Sequence, residues 1–232
     1  FMHIERTGGS TVNGWFASTQ PSFQKGINYF EFPAGFGEDI RFPDISANAP
    51  VYYVSGHFFL NSALETIPFN TFDEVTIVMV VRNPVERIIS GYRLWCRSPD
   101  WFPELKNVKM NFSDYYVATK SVYSHNLICR RVTGHESAEL AINEIKKRGI
   151  VVGATHDLGS FGVILAERVK NFNLDINLMI NNTPSNQGVV LSIEENLSHG
   201  ISDEMRQLIV MDNSEDIQLY ETLFPNVIGC DN

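Results

Sequence analysis

The chain is short of cysteine, of positive charge and of long apolar runs, and each shortage closes off a class of protein. Three cysteines occur, Cys96, Cys129 and Cys230. The number is odd, and no CxxC or Cys/His spacing accompanies them, which argues against a disulfide-built scaffold and a zinc module. Lys and Arg number 18 against 27 Asp and Glu, a formal charge of −9. A field of that sign repels phosphate backbones, so no nucleic-acid partner is expected and any anion site has to be local. No apolar stretch approaches the roughly 18 residues of a membrane-crossing helix. Nor does the chain open with a charged segment followed by an apolar one, the pattern of a signal peptide. The expected location is therefore the cytoplasm, or the Golgi lumen if a targeting segment precedes Phe1. Internal repeats, low-complexity tracts and linker-like charge blocks are missing too.

What is present is enough apolar material, 44% hydrophobic and 12% aromatic over 232 residues, to pack a core. A single domain, 1–232, is the expectation at this length. Residues 75–81 (VTIVMVV) form a continuous apolar run of the kind found in a parallel strand buried on both faces. Residues 51–55 (VYYVS) and 150–154 (IVVGA) are shorter versions. Helical patterns cover 10–19, 83–95, 137–147, 158–171 and 203–224, the last in two pieces. Strands alternating with helices predict an α/β fold with a mostly parallel central sheet flanked by helices. Residues 21–50, rich in Phe, Gly and Pro, show no period and read as a surface connector or a lid. Residues 99–132 carry Trp101, Phe102, Tyr115, Tyr116 and Tyr123 and read as a second candidate wall for an acceptor.

Two segments carry chemistry. The first, His3-Ile4-Glu5-Arg6-Thr7-Gly8-Gly9-Ser10-Thr11, runs from a strand end through two glycines into an apolar-periodic helix. That geometry lets backbone N–H groups, the Ser10 and Thr11 hydroxyls and a helix N-terminus meet an oxyanion, with Arg6 adding a full charge. Taken alone, it is equally a helix cap after a glycine turn. It is not a Walker loop, because Gly9 stands where the Lys before Ser/Thr is required, and the strand 75–81 ends in Val81-Arg82 rather than in an Asp that could hold magnesium. No metal is therefore expected.

The second segment, Arg82-Asn83-Pro84-Val85-Glu86-Arg87-Ile88-Ile89-Ser90-Gly91-Tyr92-Arg93, follows that strand. Asn83 as N-cap, Pro84 at the first helical position and Glu86 at the third specify a helix start with a capping box. Val85, Ile88, Ile89, Tyr92 and Trp95 form the predicted buried stripe, with Arg87 and Ser90 off it. An Arg ending a parallel strand and a Ser on the next helix can converge at the C-terminal edge of the sheet, where open α/β folds bind ligands. An ordinary surface ion pair for Arg82 is the alternative.

Together the two segments resemble the signature segments of sulfotransferases that use 3′-phosphoadenosine 5′-phosphosulfate (PAPS), in the branch related to carbohydrate sulfotransferases. HIERTGGST is similar to that family's HIPKTGGTT, and RNPVERIISGYR to its RDPVERFLSAYR. The likeness continues through Val54-Ser55-Gly56-His57-Phe58, Val152-Gly153-Ala154, Asn182-Thr183 and the closing helix pair.

The resemblance implies a P-loop-like fold, PAPS as sulfuryl donor, and adenosine 3′,5′-bisphosphate (PAP) as product. By the same likeness, the loop Arg6, Thr7, Gly8, Gly9, Ser10 and Thr11 holds the 5′-phosphosulfate, and Arg82 with Ser90 holds the 3′-phosphate. His57, following a strand and a glycine, is the candidate general base, its imidazole having the right pKa range. Two residues depart from the pattern. Arg6 stands where Lys is usual; it is expected to act in catalysis with His57, as the fixed cation near the bridging oxygen, but, always charged, cannot give up a proton. Glu5 replaces Pro and is expected to be solvated, the ordinary state of Glu, with an assisting base that faces the acceptor as the alternative. His3, His125, His135, His156 and His199 are expected to be structural or exposed. A metal-dependent nucleotide kinase and a non-catalytic nucleotide-binding module are the competing readings. The acceptor is expected to be a hydroxyl of a neutral or weakly charged glycan, lipid or small metabolite, given the negative field.

Overall fold

The computed structural model describes residues 1–19, 29–32, 53–67, 72–98, 110–169 and 201–225, with Asp100, Leu105 and Val108. Strand β1 (Tyr29–Phe32) pairs in parallel with β2 (Tyr53–Gly56), and β3 (Val78–Val81) with β4 (Val151–Ala154). Met2 joins the two pairs, bridging in parallel sense to Gly56 on one side and Met79 on the other. Its N–H donates to the Val78 carbonyl (2.8 Å), and the N–H of His3 donates to the Gly56 carbonyl (2.9 Å). Across the sheet the order is thus β1, β2, the N-terminal stretch, β3, β4, with every pairing parallel.

Side-chain alternation along β3 divides the core in two. Val78 and Val80 pack with Val12, Trp15 and Phe16 of α1 (Gly9–Thr19) and with Leu158, Phe161 and Leu165 of α7 (Leu158–Arg168). Met79 and Val81 point the other way, with Met2 and Ile4. There they meet α2 (Leu60–Thr66), α5 (Leu127–Thr133), α6 (Ala138–Arg148) and α9 (Ser214–Leu223) through Leu60, Ile128, Ala141 and Leu219. Helices on both faces of a parallel sheet make this an α/β fold. Gly153 of β4 lets α7 approach the sheet closely, since a Cβ there would lie 2.3 Å from the Phe161 ring.

A third cluster joins α3 (Pro84–Arg97), α4 (Phe112–Thr119) and α8 (Asp203–Asp212) through Ile88, Ile89, Tyr92, Trp95, Phe112, Tyr115 and Ile209. The predicted stripe on α3 is buried, and so, contrary to expectation, are Arg87 (2% exposed) and Ser90 (5%). The reason is a second cover on this helix. Arg87 donates to the Ser124 carbonyl (2.8 Å) at the end of the π-helical turn Lys120–Ser124, and Ser90 meets the N-terminal loop.

Other expectations need correction. Residues 29–32 are a strand inside the stretch expected to be irregular, their ladder supplied by β2. The rest of 21–50 lies outside the described residues. Tyr115 and Tyr116 belong to the third core cluster and do not line a surface wall. Trp101, Phe102 and the Tyr123 side chain lie outside the described residues, as do His199 and Asn182-Thr183. The strand expected over 75–81 is shorter, β3 beginning at Val78. Among the described residues no helix is long and apolar enough to cross a membrane.

Candidate functional site

Because the strands run parallel, their C-terminal ends share one edge, and the residues just beyond them come together there. The N-terminal stretch contributes residues 3–8, β2 contributes His57, and β3 contributes Arg82. The loop after Met2 is closed from within. Thr7, fully buried, donates its hydroxyl to the Ile4 carbonyl (2.8 Å), so that hydroxyl shapes the loop. Arg6 and Gly8 both have left-handed backbone, with φ 66° and 83°. The Gly8 carbonyl accepts from the N–H groups of Thr11 (3.0 Å) and Val12 (3.3 Å) and opens α1. No acidic residue lies in the first turn of α1, so nothing there offsets the positive end of the helix. Ser10 is exposed and Thr11 half-buried.

Gly9 has a second use that sequence reasoning did not anticipate. A Cβ on Gly9 would lie 1.9 Å from Cδ2 of His3, so the imidazole of His3 rests directly on this glycine. The same ring stacks on His57, centroids 4.2 Å apart. Burial first, then His57, push the His3 pKa down to about 3 against the opposing pull of Glu5, which keeps this imidazole neutral. His3 is therefore part of the site. His156 also has a partner, its Nδ1 lying 3.0 Å from the Tyr220 hydroxyl.

The two signature segments, 84 residues apart, meet through Arg6 and Ser90. Nε and Nη2 of Arg6 both donate to Ser90 Oγ, at 3.1 and 2.9 Å. Arg82, one residue past β3, has Nη2 4.0 Å from Oε2 of Glu86, the surface ion pair named above as its alternative. Glu86 also accepts from Arg206 (3.3 Å).

Glu5 corrects the expectation of a solvated carboxylate. Its Oε1 accepts from Nη2 of Arg131 and lies 3.8 Å from Nδ1 of His57; Oε2 is buried without a hydrogen-bond partner among the described residues. Burial pushes this carboxyl up, but Arg131, then His57 and a backbone hydrogen bond, outweigh it and hold the pKa below the ordinary value. Arg131, almost fully buried, also donates through Nη1 to the His57 carbonyl (3.2 Å) and lies over the Phe59 ring at 4.8 Å. It thus ties Glu5 to the backbone of the candidate base. Deeper still, Asp216 accepts from the N–H groups of Ile128 (2.9 Å) and Cys129 (2.8 Å); burial pushes its carboxyl up, against the opposing charge of Arg87 and these bonds.

Sequence reasoning missed Arg131 and His3. Arg131 carries no local signal, standing 126 positions from Glu5. The only available hint was a carboxylate beside an anion loop, which needs a buried cation to be tolerated. Among the described residues no group of three or more His, Cys, Asp or Glu is placed to hold a metal ion. Comparison with known proteins adds no family: no family model matches the chain, and no curated protein matches it.

Proposed function

We propose that this chain transfers a sulfuryl group from PAPS to a hydroxyl of a carbohydrate or other alcohol acceptor. The observation that carries the reading is the contact of Arg6 with Ser90, which unites a glycine loop opening a helix with the Arg-Asn-Pro segment at one sheet edge. The strand order, with the loop-bearing stretch central between β2 and β3, supports the P-loop-like architecture that the resemblance implies.

In this reading the loop amides of residues 7–10, the Ser10 and Thr11 hydroxyls and the N-terminus of α1 receive the 5′-phosphosulfate, and Arg82 with Ser90 receives the 3′-phosphate. The acceptor oxygen attacks sulfur in line with the bond to the 5′-phosphate. The new O–S bond forms as the S–O bond to the phosphate breaks; PAP departs with the electron pair, and the acceptor proton passes to His57. Fixed donors at the leaving phosphate lower the barrier because they are in place before charge develops. Glu5, 3.8 Å from Nδ1 of His57, favours the imidazolium that this step creates.

The test is transfer of label from ³⁵S-labelled PAPS to a panel of neutral and weakly charged glycans and alcohols, with magnesium chelated. His57→Ala is expected to lower kcat by roughly 10² to 10⁴ while PAP affinity holds, since a general base acts in the transition state. Unchanged turnover removes His57 as the base. Phosphoryl transfer from ATP that requires magnesium replaces this reading with a kinase.

A further inference from the structure

We infer that Arg6 serves the 3′-phosphate end of the donor and not the scissile phosphosulfate end. The inference rests on the donor reading above and assigns to one residue a subsite different from the one its place in the loop implies.

The geometry is specific. Arg6 belongs to the glycine loop by sequence, yet two of its nitrogens converge on a single atom of α3, Oγ of Ser90, at 2.9 and 3.1 Å. Ser90 is nearly buried on α3, whose packing holds it in place. Arg6 adopts left-handed backbone to accomplish this, a conformation unfavourable for any residue with a Cβ and found where the surroundings impose it. The guanidinium is therefore directed away from the regular course of its own loop and towards the helix that follows β3.

The chemistry fits a binding role. A ribose 3′-phosphate bears close to two negative charges, and one Arg leaves part of that charge unbalanced. A guanidinium has five N–H donors in a planar fork, so it can hold the serine and a phosphate oxygen together; an ammonium with three donors is a point charge that does this less well. The two bonds from Arg6 use Ser90 Oγ as acceptor and do not use the Ser90 proton, which can be donated to the same phosphate. Arg6 also cannot protonate a leaving oxygen, since it does not lose its proton. Placed on Ser90 it acts as a static anion receptor, and the leaving 5′-phosphate depends on loop amides and the N-terminus of α1.

The experiment is calorimetric titration of the full chain with PAP and, separately, with adenosine 5′-monophosphate, which lacks the 3′ group. Wild type is compared with Arg6→Gln, Arg6→Lys and Ser90→Ala, and melting temperatures are measured alongside. Arg6→Gln is expected to weaken PAP about 10- to 100-fold, the scale of a charged hydrogen bond, and the monophosphate by less than about 3-fold. Arg6→Lys, which keeps the charge but loses the fork, should show the same selective loss at smaller size, and it decides the matter if the Gln variant melts early. Adding Ser90→Ala to Arg6→Gln should cost less PAP affinity than Ser90→Ala does alone, because the two act on one phosphate. Parallel losses for both ligands in the Arg6 variants overturn the inference while the donor reading stands. A wild-type chain that binds the two ligands equally overturns both.

Discussion

Two segments at the same edge of the sheet, the loop 3–8 and the start of α3, are built by opposite rules. The start of α3 follows local preference: Asn83 accepts from the N–H groups of Val85 (3.0 Å) and Glu86 (3.3 Å), and Pro84 takes the first helical position, although the Glu86 carboxylate faces Arg82 and Arg206 and does not complete the expected capping box. The loop breaks several. It has an arginine in left-handed backbone, a carboxylate with one buried oxygen that no described residue satisfies, and an imidazole pressed on a glycine. One segment is held by its own sequence, whereas the other is held by residues far along the chain, Ser90 and Arg131. Strain of this kind persists only where the surroundings over-determine it, and it gathers at functional sites. The contrast therefore separates a helix start secured by its own cap from a loop whose shape depends on distant partners, and the proposed reaction draws on the latter.

The contrast is broken most severely at Arg131. Arg131→Met keeps volume but removes the cation from Glu5, and breaking a buried pair in this way costs about 3 to 5 kcal/mol. The pH dependence identifies the cause. In wild type the Glu5 pKa is held below its ordinary value, so this group contributes stability above the unfolded pKa of about 4.3. That contribution is lost as pH falls through the folded pKa. Without Arg131 the burial effect opposes ionisation with less compensation. The difference between variant and wild type in urea melts should thus be largest near neutrality and shrink in acid. A difference independent of pH would show that Arg131 stabilises through its bond to the His57 carbonyl and its contact with Phe59, and not through Glu5.

A smaller effect is expected at Gly9. A methyl group there meets the His3 ring, and overpacking of this kind costs about 1 to 3 kcal/mol. Because the obstacle is one side chain, His3→Ala should recover most of the loss in the double variant, a coupling that a denaturation cycle measures directly. If Gly9→Ala is equally destabilising with His3 present or absent, the glycine is needed for the backbone of the turn and not for the imidazole.

The same division explains what could be seen without a structure. The helix starts at Pro84, Ala138 and Asp203 were legible because each rests on a cap one residue earlier, Asn83, Ser137 and Ser202. The apolar run around β3 was legible because it is buried on both faces. Strand β1 was not, since its pairing comes from residues 24 positions away and strand preference depends on neighbours more than on the segment itself. Candidate site residues could be named from two motifs, but not the way they face. The meeting of Arg6 with Ser90 and the burial of Glu5 are contacts across 84 and 126 positions, and no local period encodes them. Arg87 and Ser90 were misplaced for a related reason: a stripe drawn for one buried face leaves out a second cover, the Lys120–Ser124 turn over Arg87 and the N-terminal loop over Ser90.

The smallest effect is expected where the rules are kept. Asn83→Ala removes an oxygen that accepts two N–H donors of the first turn, and loss of an N-cap of this type costs about 1 kcal/mol. The loss stays small because α3 is secured further along by Ile88, Ile89, Tyr92 and Trp95 in the third core cluster, and because water can solvate the freed groups at the half-buried Asn83. Asn83→Asp should cost less than Asn83→Ala, as a carboxylate accepts the same bonds and its charge suits the helix N-terminus. Neither Asn nor Ala titrates, so the difference between Asn83→Ala and wild type should stay level across the pH range in which the Arg131→Met difference changes. Ser90 lies two turns beyond the cap, and its contact with Arg6 should survive, leaving PAP affinity within about 3-fold of wild type if the loss is confined to the cap. An Asn83→Ala chain that loses more stability than Arg131→Met would reverse the contrast, placing the anchoring of this edge in the cap and not in the buried ion pair.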